Sequence, residues 1–172
     1  VSPSFRLPMF FFSLPLCLPI CLSVHALSVA VRRRAAARYK ASCAAAARLV
    51  NAPPENVVLV HNATTGVNVA LRSAKLTAGS AILITSCTYN ACKNVALFLA
   101  ETAGVEVVVA DLPAPRPGVT MTAADLNEAV LAAFRAKLEA HPNIAVALVD
   151  HIVSMPSFVV PVKEVVQLCH AH

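Results

Sequence analysis

The stretch "VVLVHNATTGVNVALRSAKL" (residues 57–76) joins a run of β-branched residues to a helical pattern. Val57, Val58 and Val60 read as a short strand of the kind buried in parallel sheets. Val67, Ala70, Leu71 and Ala74 then recur at helical spacing. Between them stands Asn62-Ala-Thr-Thr-Gly66. A strand-to-helix junction leaves backbone N–H groups unpaired, and the helix dipole adds partial positive charge there. An anionic group such as a phosphate is the natural occupant. Asn62 or Thr64 acting simply as a helix cap accounts for the same residues. No Gly-Lys-Ser/Thr follows, so this is not a Walker loop.

Outward from that junction the same alternation repeats. "AILIT" (residues 81–85) reads as a second strand, and residues 89–103 as a helix closed by Gly104. "VEVVVADL" (105–112) is a third strand, followed by the proline-rich surface loop "PAPRPGVTM". Thr122 and Asp125 form a capping-box pattern opening a helix to about Ala140. "NIAVALVD" (143–150) is a fourth strand, and Pro161 opens a last helix. Upstream, the alanine- and arginine-rich segment 32–52 reads as a helix stopped by Pro53 and Pro54. Four strand–helix alternations predict an α/β domain, three-layer αβα with a mainly parallel sheet.

With 172 residues, 58% of them hydrophobic and 13% charged, the chain can bury one sizeable core. The net charge is +5, but seven of the 14 basic residues lie within residues 1–48, where no acid occurs. The body therefore lacks the basic face with interleaved aromatics that nucleic acid requires, and nucleic acid is excluded as a partner. Six cysteines lie in apolar stretches and read as buried free thiols rather than a disulfide framework. The ending Cys169, His170, His172 lacks a second ligand cluster, so no metal site is expected.

Residues 1–31 differ from the rest as a hydrophobic leader. "LPMFFFSLPLCLPICLSVHALSVAV" (7–31) is long enough for a membrane span, but Pro8, Pro15 and Pro19 argue against one. A targeting peptide with Arg6 and the "SVA" at 28–30, or a non-native extension of a chain that begins at Val1, are the favoured alternatives. A membrane partner is not expected. A cytoplasmic or organellar location is favoured, with a secretory leader as the alternative. Residues 32–172 are expected to form the domain.

Three polar segments leave strand ends, where ligands gather in open α/β sheets. They are Asn62–Gly66, "TSCTYNACKN" (85–94) and "VDHIVSMPS" (149–157). Tyr89 could stack on a flat heteroaromatic ring. Asp150, His151 and Ser154 could do acid–base or donor work, or merely stabilise a turn. Cys87 lacks a neighbouring base and is not assigned as a nucleophile.

Together, "NATTGVN" (62–68), "ITSCTYNACKN" (84–94) and "LVDHIVSMPSFVVPVKEVVQLC" (148–169) resemble the class V aminotransferase-like pyridoxal-phosphate enzymes. That family includes isopenicillin N epimerase-like proteins and cysteine desulfurases, and the last segment looks most like its cysteine desulfhydrase-like members. The resemblance covers residues 33–172. It implies part of a fold-type I large domain and the cofactor pyridoxal 5′-phosphate. By analogy Thr64 and Thr65 hold the phosphate, Tyr89 covers the pyridine ring, and Ser154 lies near its phenolic oxygen. Asn68 and His151 belong to the matching motifs without an assigned role. Val153 replaces a common threonine, and Pro156-Ser157 a common Thr-Gly.

The family's pyridine-pairing aspartate and Schiff-base lysine lie further on than His172. None of Lys40, Lys75, Lys93, Lys137 and Lys163 has that lysine's context. The resemblance thus implies a fragment, inactive by itself with no catalytic residue of its own. The parent would be a lyase or transferase, a desulfhydrase acting on cysteine or a related amino acid, and a homodimer. The alternative is a non-catalytic interaction module or an unstable product.

Overall fold

The computed structural model describes residues 14–113 and 121–172, with side chains from Ala26 onward. Arg6 and Pro8 of the leader, and residues 114–120 of the proline-rich loop, lie outside the described residues. The chain divides into two compact units, Val1–Leu59 and Val60–His172.

The first unit is built on one helix, α1 (Leu14–Leu49), followed by a 3-10 turn at Pro54–Asn56. The helix begins well upstream of the alanine-rich segment and runs unbroken through Arg32–Arg34, so the compositional change there marks no structural break. Among the described side chains of α1, Cys43 and Ala47 are buried. Asn51 takes a left-handed conformation at φ 52°, and the Ala52 amide returns to the Ala47 carbonyl at 2.9 Å. The Tyr39 hydroxyl accepts a hydrogen bond from the Leu59 amide at 3.3 Å.

The expected strand over residues 57–61 does not form. Its backbone pairs with no strand among the described residues, and Val58, Leu59 and Val60 are exposed. A β-branched run has strand propensity, but a strand exists only when a neighbour completes its ladder. The sheet therefore has three strands rather than four.

The second unit carries that sheet. In chain order it contains α2 (Ala63–Ser73), β1 (Ala81–Thr85), α3 (Asn90–Ala103), β2 (Glu106–Ala110), α4 (Ala123–Ala140), β3 (Ile144–Ala147) and α5 (Val162–Ala171). The strands are parallel in the order β2-β1-β3. Strand β1 is central and buried at all five positions, in keeping with its apolar run Ala81–Ile84 before Thr85.

Alternate residues face opposite layers. Ile82 and Ile84 join Leu71, Ala96 and Val105 on the side of α2 and α3. Ala81 and Leu83 join Val130, Phe134, Leu138 and Val165 on the side of α4 and α5. The result is a three-layer αβα arrangement. A register shift opposite Ala81–Ile82 places Ala145 as an extra residue in β3, which puts Ile144 and Val146 on opposite faces.

Local signals set the helix ends. Gly104 closes α3 at φ 65° in the left-handed region. Thr122 and Asp125 make the reciprocal capping box of α4. Pro161 is the N-cap residue of α5, one position before the expected one. At the amino edge of the sheet, Asn143 Nδ2 donates to the Gly79 carbonyl at 2.9 Å and to Glu106 Oε2 at 3.0 Å. His141 Nδ1 lies 3.4 Å from Glu106 Oε1, so the starts of all three strands are joined there.

Candidate functional site

The opposite, carboxyl edge gathers the polar segments. Helices connecting parallel strands run back along the sheet, so α3 starts where β1 ends. Helix α2 packs beside α3 on the same face and runs toward the start of β1. Its N-terminus therefore points to the same edge. Strands β1 and β3 are neighbours, so the loops after Thr85 and Ala147 leave side by side.

At the head of α2, Asn62 is the N-cap residue in extended conformation. Its Oδ1 accepts from the Thr65 amide at 2.8 Å and the Thr65 hydroxyl at 3.0 Å. The capping alternative is thus realised, and it engages both polar groups of Thr65. The Ala63 and Thr64 amides and the half-buried Thr64 hydroxyl have no partner among the described residues. An oxyanion fits these donors. Gly66 lies beneath, where an added Cβ would meet Val60 Cγ2 at 3.6 Å, an ordinary contact. No conformational need for glycine exists at that position.

After β1 the chain makes a closed turn. The Thr85 amide donates to Thr88 Oγ1 at 2.9 Å, and the Thr88 amide to the Thr85 carbonyl at 3.1 Å. Both threonines are buried, so these bonds satisfy groups that water cannot reach. The turn delivers Tyr89 to the N-cap of α3 with its side chain 53% exposed, open to a planar ligand. Ser86 stitches the neighbouring strand: its amide donates to the Ala110 carbonyl at 2.9 Å, and its Oγ accepts from the Leu112 amide at 3.0 Å.

The loop after β3 is anchored at both ends by buried Val153 and Val160. Ile152 and Val159 form an antiparallel bridge, backed by the Val153 amide on the Phe158 carbonyl at 3.0 Å. Ser154 is exposed at the loop tip, where its carbonyl accepts from Ser157 Oγ at 3.0 Å. His151 is exposed, and its carbonyl accepts from the Val160 amide at 2.9 Å.

One electrostatic influence between these segments carries no clear signal in the sequence. Cys92 in the first turn of α3 is buried, and burial pushes its thiol pKa up, with the Asp150 carboxylate adding to the effect. The only sequence signal for the pair is that each follows a strand end. Ser86 carries no sequence signal either, because nothing local distinguishes a bridging serine from a turn serine. Among the described residues no group of three potential metal ligands exists, and Cys43, Cys87, Cys92 and Cys169 are free.

A family model for the class V aminotransferases matches residues 22–172. The chain belongs to the class V aminotransferase family. This class V chain is 37% identical over 157 residues to a putative L-cysteine desulfhydrase of Oryza sativa subsp. japonica, covering 84% of the chain and 29% of that relative. It is 31% identical over 134 residues to a probable chloroplastic L-cysteine desulfhydrase of Arabidopsis thaliana, covering 71% of the chain and 26% of that protein. The chain thus spans under a third of the length of the curated relatives it matches.

Two solved structures share the fold with a TM-score of 0.64, each over 80% of the chain. One is a lysine-to-alanine mutant of C-DES with glycine covalently linked to its PLP cofactor, at 21% identity and 34% coverage of that structure. The other is the cystine C–S lyase C-DES in complex with its product cysteine persulfide, at 19% identity and 35% coverage. The αβα unit is accordingly part of a large domain of the PLP-dependent fold type I.

Proposed function

We propose that the carboxyl edge of the second unit is the phosphate- and ring-binding side of a pyridoxal 5′-phosphate site. The protein to which the chain belongs is then a C–S lyase acting on cysteine or a related amino acid, releasing sulfide, pyruvate and ammonia. The observation that carries this reading is the pair of unpartnered Ala63 and Thr64 amides beside the Thr64 hydroxyl, at the same sheet edge as Tyr89. The cysteine desulfhydrases and C–S lyase among the relatives support the reaction class.

The Ala63 and Thr64 N–H groups and the Thr64 hydroxyl donate to the cofactor phosphate, aided by the α2 dipole. Thr65 shapes the cup through Asn62. Tyr89 covers one face of the pyridine ring and excludes water from it. Ser154 donates to the ring's phenolic oxygen from the β3 loop. When bound, the cofactor supplies an electron sink for the substrate carbon framework. The complete enzyme works as a homodimer.

The test uses protein carrying this chain together with its downstream coding sequence, supplied with pyridoxal 5′-phosphate and L-cysteine. Bound-cofactor absorbance and stoichiometric sulfide and pyruvate are the expected result. Absence of cofactor absorbance overturns the site, and absorbance without sulfide overturns the substrate.

A further inference from the structure

Strand β1 is apolar from Ala81 to Ile84, yet it ends by burying a hydroxyl side chain, and the turn that follows buries a second. Thr85 is 3% and Thr88 8% exposed, and they are the buried polar residues among the described residues. A hydroxyl out of reach of water is costly unless it is hydrogen-bonded. Here each is bonded across the turn. Thr88 Oγ1 accepts from the Thr85 amide at 2.9 Å and lies 3.1 Å from Thr85 Oγ1, while the Thr88 amide donates to the Thr85 carbonyl at 3.1 Å. Ser86, inside the turn, cannot replace Thr88, because its Oγ is engaged by the Leu112 amide at 3.0 Å.

Tyr89 is the next residue. Its carbonyl accepts the Cys92 and Lys93 amides at 2.9 and 3.0 Å as α3 begins, so its main chain is held by the helix on one side and by the threonine turn on the other. Only its side-chain torsions remain to place the ring. Taking the carboxyl edge as the cofactor site proposed above, we propose that Thr88 is a positioning residue for Tyr89. Its buried hydroxyl fixes the main chain from which the ring covers the pyridine, so that binding has little ordering left to do. Thr88 touches no ligand and acts through its neighbour. Without that hydroxyl the buried Thr85 amide loses its acceptor, and the turn must open to satisfy it. Opening displaces the residue joined directly to Thr88.

The test is a double-mutant cycle in the complete protein with Thr88→Val, Tyr89→Ala and the two combined, read as the affinity for pyridoxal 5′-phosphate from bound-cofactor absorbance. Valine matches the shape of threonine and removes the hydroxyl. Thr88→Val is expected to weaken cofactor binding about fivefold, the order of a lost ring stack, and Thr88→Ser to restore it. In the Tyr89→Ala background Thr88→Val is expected to cost nothing further, because the ring it places is gone. Thr88→Ala repeats the cycle with a smaller side chain and should give the same coupling. In the cofactor-free protein, hydrogen exchange over residues 84–92 is expected to quicken in Thr88→Val and not in Thr88→Ser. Additive losses in the combined variant show a general effect on the fold and overturn the positioning role, as does unchanged affinity in Thr88→Val. A wild-type protein that binds no cofactor overturns the site itself, and this role with it.

Discussion

Asn62 Oδ1 accepts both the amide and the hydroxyl of Thr65, at 2.8 and 3.0 Å, which leaves Thr64 as the free polar side chain at the head of α2. Two adjacent threonines with the same chemistry are thereby given different work, one closing the helix and the other keeping its hydroxyl unengaged.

That division separates stability from binding. Asn62→Ala removes the cap and lowers unfolding stability by about 1 kcal/mol, read as a drop in the urea midpoint. Thr64→Val leaves that midpoint nearly unchanged. In the cofactor-loaded complete protein, Thr64→Val weakens pyridoxal 5′-phosphate retention by about tenfold or more, since a hydrogen bond to a charged group is lost. Equal effects of Thr64→Val and Thr65→Val on retention contradict the assignment.

The capping box of α4 has a pH signature. Hydrogen bonds from the Thr122 hydroxyl and amide hold the Asp125 carboxyl below the usual carboxylate range. A depressed folded-state pKa means that the stabilisation is present above the ordinary aspartate value and is lost as pH falls through the depressed one. Acid titration of the wild type and of Thr122→Ala by circular dichroism should show the wild type losing this extra stability on acidification. The variant starts lower at neutral pH and loses less.

The thiols report on the opposite end of the pH scale. Burial raises the pKa of both Cys92 and Cys169, and Asp150 adds to the rise at Cys92. Their contribution is present below the ordinary thiol pKa of about 8.5 and is lost as pH rises through the raised folded values. Alkylation by iodoacetamide at mildly alkaline pH is expected to be slow at Cys92 and faster in Asp150→Asn, since the thiolate is the reacting form. An unchanged rate in that variant shows that Asp150 does not act on the thiol.

Part of the site was legible in the sequence. Tyr89 and Ser154 follow β1 and β3, so the βα pattern alone directs them toward one edge, whereas no strand precedes Thr64 and it stands there only through the direction of α2. The partners that shape the site were not legible. The influence of Asp150 on the Cys92 thiol spans 58 positions of sequence and follows from β1 and β3 being neighbours. Ser86 binds Leu112 for a similar reason, since β1 and β2 pair.

The linear order of residues determined whatever depends on a few consecutive side chains. It sufficed for the αβα class, the Gly104 cap and the Thr122–Asp125 box. Tertiary structure alone decided which runs became strands and which polar groups remained free. Residues 57–60 carry as many β-branched side chains as β1, three each, yet they stay unpaired and Val58 to Val60 are exposed while β1 is buried. Strand formation is a property of the ladder a segment joins, and the identity of the neighbour is not written in the segment itself.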